Sequence, residues 1–405
     1  MFDREVGLLL NRPMFDPRRI TFPDLTMTCL YCNQEKPDAA ASDEHIIPQA
    51  LGGNIDTHNP FKIRVVCGRC NSLVGSYVDG PFIRSWLVNL QRVSSAKKYA
   101  RIDASTTLPF QYFGPLEEVA QDGLVCDFWT GPTGDPTYHF HNPYPEEPDA
   151  MPTVGRPLGK VEVVPGFVIL FLRSNNPVWH PVIVRSALAQ FPESEIHIGN
   201  SNIESQGRLS NVPEARQHLR EAVWKLNGKV HTVPVVQHLD YSYRFQCKLA
   251  LGFGFLLLGE RFKSSASAVR LRNGLWAKDR DLRANAHIKG SGPLSGRIPD
   301  ELRQLLSWKY GHTMTIMNLG DSLALYSSFY GSEVAVTEIS NEPELWHGIV
   351  DAGNTFIVAP CLRAALALRI GQYIGHICDP PRVVAELSEL ERTIESLPPH
   401  PPFDI

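Results

Sequence analysis

The sequence predicts an α+β protein in which a small cysteine-stapled module near the N-terminus precedes a larger mixed α/β C-terminal region. Three observations lead there. The chain has 405 residues, 43% hydrophobic and 20% charged, an ordinary globular composition with room for two or three domains of about 150 residues each. Four of its eight cysteines fall in two Cys-x-x-Cys pairs, Cys29 with Cys32 and Cys67 with Cys70. Beyond residue 155, strand-like apolar runs alternate with segments of helical period.

Taken in order, residues 1–27 form a Pro-containing extension with no clear period. The stapled module with a following basic helix covers 28–100; within it, residues 81–99 carry Phe82, Ile83, Trp86, Leu87 and Leu90 at amphipathic helical spacing. Residues 101–155 turn Gly-, Pro- and acid-rich and read as a connection. The region 156–405 opens with two expected strands in 161–187, broken at Asn175-Asn176-Pro177. A helix is expected at 214–226 and a strand at 230–236. A buried helix follows at 241–262, although Gly252 and Gly254 each cost it about 1 kcal/mol against Ala. Strands at 313–326 and 333–339 and a helix at 381–396 complete the pattern.

The net charge of −4 does not advertise a polyanion partner, but its distribution is uneven. Eight Lys or Arg against one acid lie between Lys62 and Arg101, while residues 115–155 hold eight acids and no Lys or Arg. Such segregation can build a basic face on an acidic protein, as phosphate-backbone binding requires. The first five residues carry two acids where a secretory signal starts basic, and no apolar run reaches the roughly 18 residues needed to span a bilayer. A cytoplasmic protein with no membrane partner is the expectation, and in a reducing compartment paired cysteines read as metal ligands.

Each Cys-x-x-Cys spacer lets both thiolates reach one ion, and Cys29, Cys32, Cys67 and Cys70 complete the tetrahedral four-sulfur shell of structural zinc. The loop between the pairs holds Asp43-Glu44-His45-Ile46-Ile47-Pro48, then Leu51-Gly52-Gly53-Asn54, and Asn71 directly follows the last cysteine. In these residues the sequence resembles the HNH endonuclease family, in its subgroup with a four-cysteine zinc site. The resemblance is close over 29–79 and implies a ββα-metal finger, with strands at 44–47 and near 62–66 and a helix starting near Gly68.

It further implies that His45 is the general base, an imidazole able to take a proton near neutrality. Glu44, with Asp43 as the other candidate, and Asn71 would offer oxygens to one catalytic Mg²⁺ or Mn²⁺. Asn59 or His58 would supply the middle residue of the motif, and Asp79 matches the motif's end in a structural role. Lys62, Arg64 and Arg69 flank the site as phosphate contacts. The reading is an endonuclease acting on DNA, with RNA and homodimerisation left open, in restriction or anti-phage defence. Its alternatives are a zinc-stabilised nucleic-acid-binding module without catalysis, and a nuclease switched by a ligand of the C-terminal region. Elsewhere, His139-Phe140-His141 sets two imidazoles on one strand face if extended, a pattern more often solvated than ligating. Cys126, Cys247, Cys361 and Cys378 read as buried free thiols.

Overall fold

In a computed structural model of the chain, the described residues are 26–55, 59–99, 107–120, 123–144, 154, 164–174, 178–200, 239–278, 285–290, 298–331, 333–378 and 383–397. The extension before residue 26, His58, and the helix and strand expected at 214–226 and 230–236 lie outside them. The chain divides into two compact units, one made of Met1–Ile83 with Leu239–Leu397 and the other of Arg84–His238 with Pro398–Ile405. These units cut across the sequence boundaries. The stapled module shares a unit with residues Leu239–Leu397, and its basic helix belongs to the other unit.

The first unit opens with the antiparallel pair β1 (Thr26–Thr28) and β2 (Glu35–Pro37), then the hairpin of β3 (Ala41–His45) and β4 (Lys62–Cys67), followed by helix α1 (Gly68–Val74). The expected ββα order is therefore present. β4 alternates as a half-buried strand should: Lys62 and Arg64 are exposed, Ile63 and Val65 buried.

The second unit begins with α2 (Trp86–Tyr99). It continues through β5 (Gln111–Pro115), β6 (Val125–Thr130), β7 (Pro136–His141), β8 (Gly166–Leu172), α3 (Trp179–Gln190) and β9 (Glu195–Asn200). Its sheet has the order β5-β6-β7-β8-β9, antiparallel except for the β8–β9 pair. Residues 101–155 are thus not a mere connection: short aromatic, β-prone runs supply three of the five strands, and the flanking Pro, Gly and acids obscured them. β8 (GFVILFL) is buried on both faces, one against Trp129, Trp179 and Ile183 and the other against Tyr138 and Phe140. The expected second strand of 161–187 is instead α3. Its β-branched residues invite the strand reading, yet Trp179, Val182, Ile183, Ser186 and Ala187 are the buried ones, at helical spacing.

The chain then returns to the first unit through α4 (Leu239–Leu258), α5 (Ala266–Trp276), β10 (Ile288–Gly290) and α6 (Asp300–Leu306). It ends with β11 (His312–Asn318), β12 (Leu323–Phe329), β13 (Glu333–Ser340), β14 (Gly353–Ala359), β15 (Ala364–Arg369), α7 (Ile370–Cys378) and α8 (Ala385–Glu395). These strands form a sheet of order β10-β13-β12-β11-β14-β15, antiparallel throughout. The strand expected at 313–326 is a hairpin, because Gly320 takes a positive φ of 88° and the Leu319 amide closes the turn on the Ser322 carbonyl. No helix among the described residues is long and apolar enough to cross a membrane.

Helix α4 joins the stapled module to the six-stranded sheet. Phe245 stacks on Phe82 at 3.8 Å between centroids, and Phe253 meets Phe61 and Phe356. The helix comes so near the hairpin that a Cβ on Gly252 would lie 2.7 Å from the Ile46 side chain. That close approach explains why a helix-weakening residue occupies a buried helix.

Candidate active site

The four cysteines converge. All four Sγ atoms lie within 4.8 Å of one another, near the edge of about 3.8 Å that a tetrahedron with metal–sulfur bonds of about 2.3 Å requires. Asn33, with φ of 55°, turns the chain after the first pair, and the Cys67 amide donates to Cys29 Sγ at 3.3 Å. The cluster can hold zinc. Two residues of α5 brace this knuckle: Arg272 donates to the Leu30 carbonyl at 3.3 Å and Trp276 to the Tyr31 carbonyl at 2.8 Å.

The β3–β4 register shifts between Ser42 and Glu44: Arg64 and Val65 of β4 together lie opposite Asp43, so the bulge is in β4, and Glu44 and His45 pair with Ile63 and Lys62. Asp43 is exposed and ion-paired to Lys62 at 2.7 Å, both side chains being near half exposure (48% and 43%). His45 is half-buried, with its Nε2 3.3 Å from Gln49 Nε2. An amide donating there leaves the lone pair on Nε2 and the proton on Nδ1. Burial, helped by the Lys62 and Lys248 cations, holds the His45 pKa below its ordinary 6.5 against the opposing pull of Glu44 and Asp43. The ring is therefore neutral at pH 7. Asn71, in the first turn of α1, donates to the Asp43 carbonyl at 2.8 Å and to Ser42 Oγ at 3.1 Å. Lys62, Arg64 and Arg69 are all exposed.

Glu44 departs from expectation. Expected to offer oxygens to a catalytic cation, it is only 2% exposed and its Oε1 accepts from Tyr31 at 3.0 Å and pairs with Lys248 at 3.0 Å. Lys248, fully buried on α4, also donates to the His45 carbonyl at 2.7 Å and to Asp79 Oδ2 at 3.1 Å, which occupies all three of its protons. Burial pulls the ammonium pKa down, but Asp79 and Glu44 together outweigh burial and keep it above the ordinary lysine value. Burial raises Asp79 to about 6 in spite of Lys248. Asn59 departs as well: its amide is occupied by the loop, donating to the Gly53 carbonyl at 2.7 Å and accepting from the Phe61 amide at 2.9 Å. It is a turn residue. Lys248 was missed, because nothing local to a lysine in an apolar helix shows that a carboxylate 204 positions earlier will meet it.

A sulfur-stapled hairpin and helix carrying a neutral histidine on their exposed side, among basic residues, define a nuclease-type module. Residues 29–87 match the family model described as HNH endonuclease, so the N-terminal part of the chain is an HNH-family domain, and nucleic acid is the substrate class that such a domain implies. No curated protein and no solved structure matches the chain.

Proposed function

We propose that this protein is a metal-dependent endonuclease that hydrolyses DNA phosphodiester bonds on the exposed side of the β3–β4 hairpin. Alternation along β3 is the observation that carries the reading. It leaves Asp43 and His45 on the accessible side while Glu44 is taken up inside, and Asn71 is hydrogen-bonded to the same stretch of backbone. His45 takes a proton from the attacking water, a role suited to an imidazole that is neutral at working pH. Lys62, Arg64 and Arg69 hold the phosphate backbone. Asp43 and Asn71 offer the hard oxygen donors that Mg²⁺ or Mn²⁺ selects, and such an ion would stabilise charge on the phosphoryl and leaving oxygens. Glu44 does not fit that role, because its carboxylate is enclosed and already paired. A setting in restriction or anti-phage defence rests on the family resemblance.

The test is nicking of supercoiled plasmid, with and without Mg²⁺ or Mn²⁺, alongside gel-shift binding. His45→Ala is expected to lower cleavage by about 10²- to 10⁴-fold with binding retained. Equal cleavage by both proteins would remove His45 from the reaction; binding without cleavage by wild type in either metal would leave a zinc-stabilised binding module. Asp43→Asn is expected to raise the Mg²⁺ concentration needed for half-maximal cleavage. If a folded Glu44→Gln variant does this and Asp43→Asn does not, the cation belongs to Glu44.

A further inference from the structure

The second unit carries a cluster that the nuclease reading does not use. Asp127 on β6 and His139 on β7 are direct cross-strand partners, and His141 lies two residues further along β7. Alternation along the strands therefore puts all three on one face of the sheet. Asp127 and His139 are fully buried and His141 is 1% exposed, and one ligand atom of each lies within 4.8 Å of the others.

Each side chain is held as a metal ligand is held. His141 Nδ1 donates to the Asn142 carbonyl at 2.7 Å. In the neutral ring this leaves the Nε2 lone pair facing Asp127 Oδ2 at 3.1 Å, an acceptor against an acceptor. A backbone carbonyl on one nitrogen is the arrangement that orients the other toward a metal. Asp127 is oriented by two phenols, Tyr144 at 2.5 Å to Oδ2 and Tyr112 at 3.3 Å to Oδ1. His139 Nε2 has Ser194 Oγ at 3.3 Å, and the Val164 backbone lies close enough to the buried ring to act on it.

The geometry points to a second metal site, in which Asp127, His139 and His141 bind a divalent transition-metal ion, zinc first among them. Two imidazoles and one carboxylate are a donor set of zinc sites with three protein ligands, which leaves a fourth position for water or a neighbouring hydroxyl. Enclosed as it is, the ion would tie the segments that bear Tyr144 and Ser194 to the sheet. The metal-free alternative is a doubly protonated His141 paired with Asp127.

The experiment is elemental analysis of the full-length protein after saturation with zinc and desalting. Wild type is expected to retain about two zinc ions per chain, one on sulfur and one on nitrogen and oxygen. A thiol-selective mercurial should then release about half of the total. Asp127→Asn and His141→Gln should each retain about one ion per chain, all of it released by the mercurial, with the circular dichroism of wild type. Because the wild-type measurement stands alone, a variant that fails to fold does not decide the matter. Wild type holding about one ion per chain, all mercurial-labile, would overturn the site, whatever the outcome of the plasmid assay.

Discussion

The two sides of the β3–β4 hairpin do different work with adjacent residues. On the outer side, Asp43, Lys62 and Arg64 are exposed and His45 is half-buried, and these residues supply the chemistry of the proposed reaction. On the inner side, Glu44, Ile46, Ile63 and Val65 are buried, and Glu44 is bound to Lys248 on a helix far along the chain. Strand alternation along β3 and β4 separates the two sets. The difference teaches that in this domain the motif residues are not equivalent: on the proposed function, changing outer ones should cost activity and changing inner ones should cost the fold.

The largest test of that division is the staple on which both sides depend. Stripping zinc, or replacing Cys29 and Cys32 by Ser, should unfold the hairpin, since structural zinc binds small domains with apparent free energies of about 10–16 kcal/mol. Limited proteolysis and thermal unfolding would register it. Unchanged unfolding after the metal is removed would mean that the packing of α4 and α5 suffices.

Next comes the inner side. Lys248→Met leaves the Glu44 carboxylate buried without its cation and should destabilise the protein by about 3–5 kcal/mol in urea unfolding. Adding Glu44→Gln and Asp79→Asn should recover much of this, because the uncompensated charges are then gone. On the outer side, the pH profile of cleavage should reflect His45. The neutral ring is the active form and its pKa is depressed, so activity should persist below pH 6.5 and be lost only as the pH falls through the lower folded value. An acidic limb above 6.5 would contradict the burial of that ring. The smallest effect is expected at the rim. Arg64→Ala should weaken DNA binding similarly for all sequences and lower the salt slope by about 1, with unfolding changed by no more than about 0.5 kcal/mol.

The hairpin, the helix and the cysteine cluster were legible because their signals are local. Cys-x-x-Cys spacing by itself limits which atoms can meet at an ion, and Asn71 follows directly on the second pair. The aromatic strands of residues 111–141 and the helix at 179–190 were not legible. Acidic and Pro-rich flanks hid the first, and β-branched residues in a buried helix mimicked a strand. The expected meeting of Glu44, His45 and Asn71 at one site does not occur at Glu44, because alternation along β3 turns its carboxylate inward, where Lys248 from a distant helix pairs with it.

By itself, then, the amino-acid order determined which four cysteines come together as a cluster that can hold zinc and the ββα sequence of elements, both of them consequences of spacing over a few tens of residues. Only the tertiary structure decided which carboxylate is available, that Lys248 lies beneath the hairpin, and that Asp127 meets His139 and His141 on one buried face. Register, the position of a bulge and the docking of a distant helix bring these groups together. Each depends on packing summed over many residues, which the local pattern at any one of them does not record.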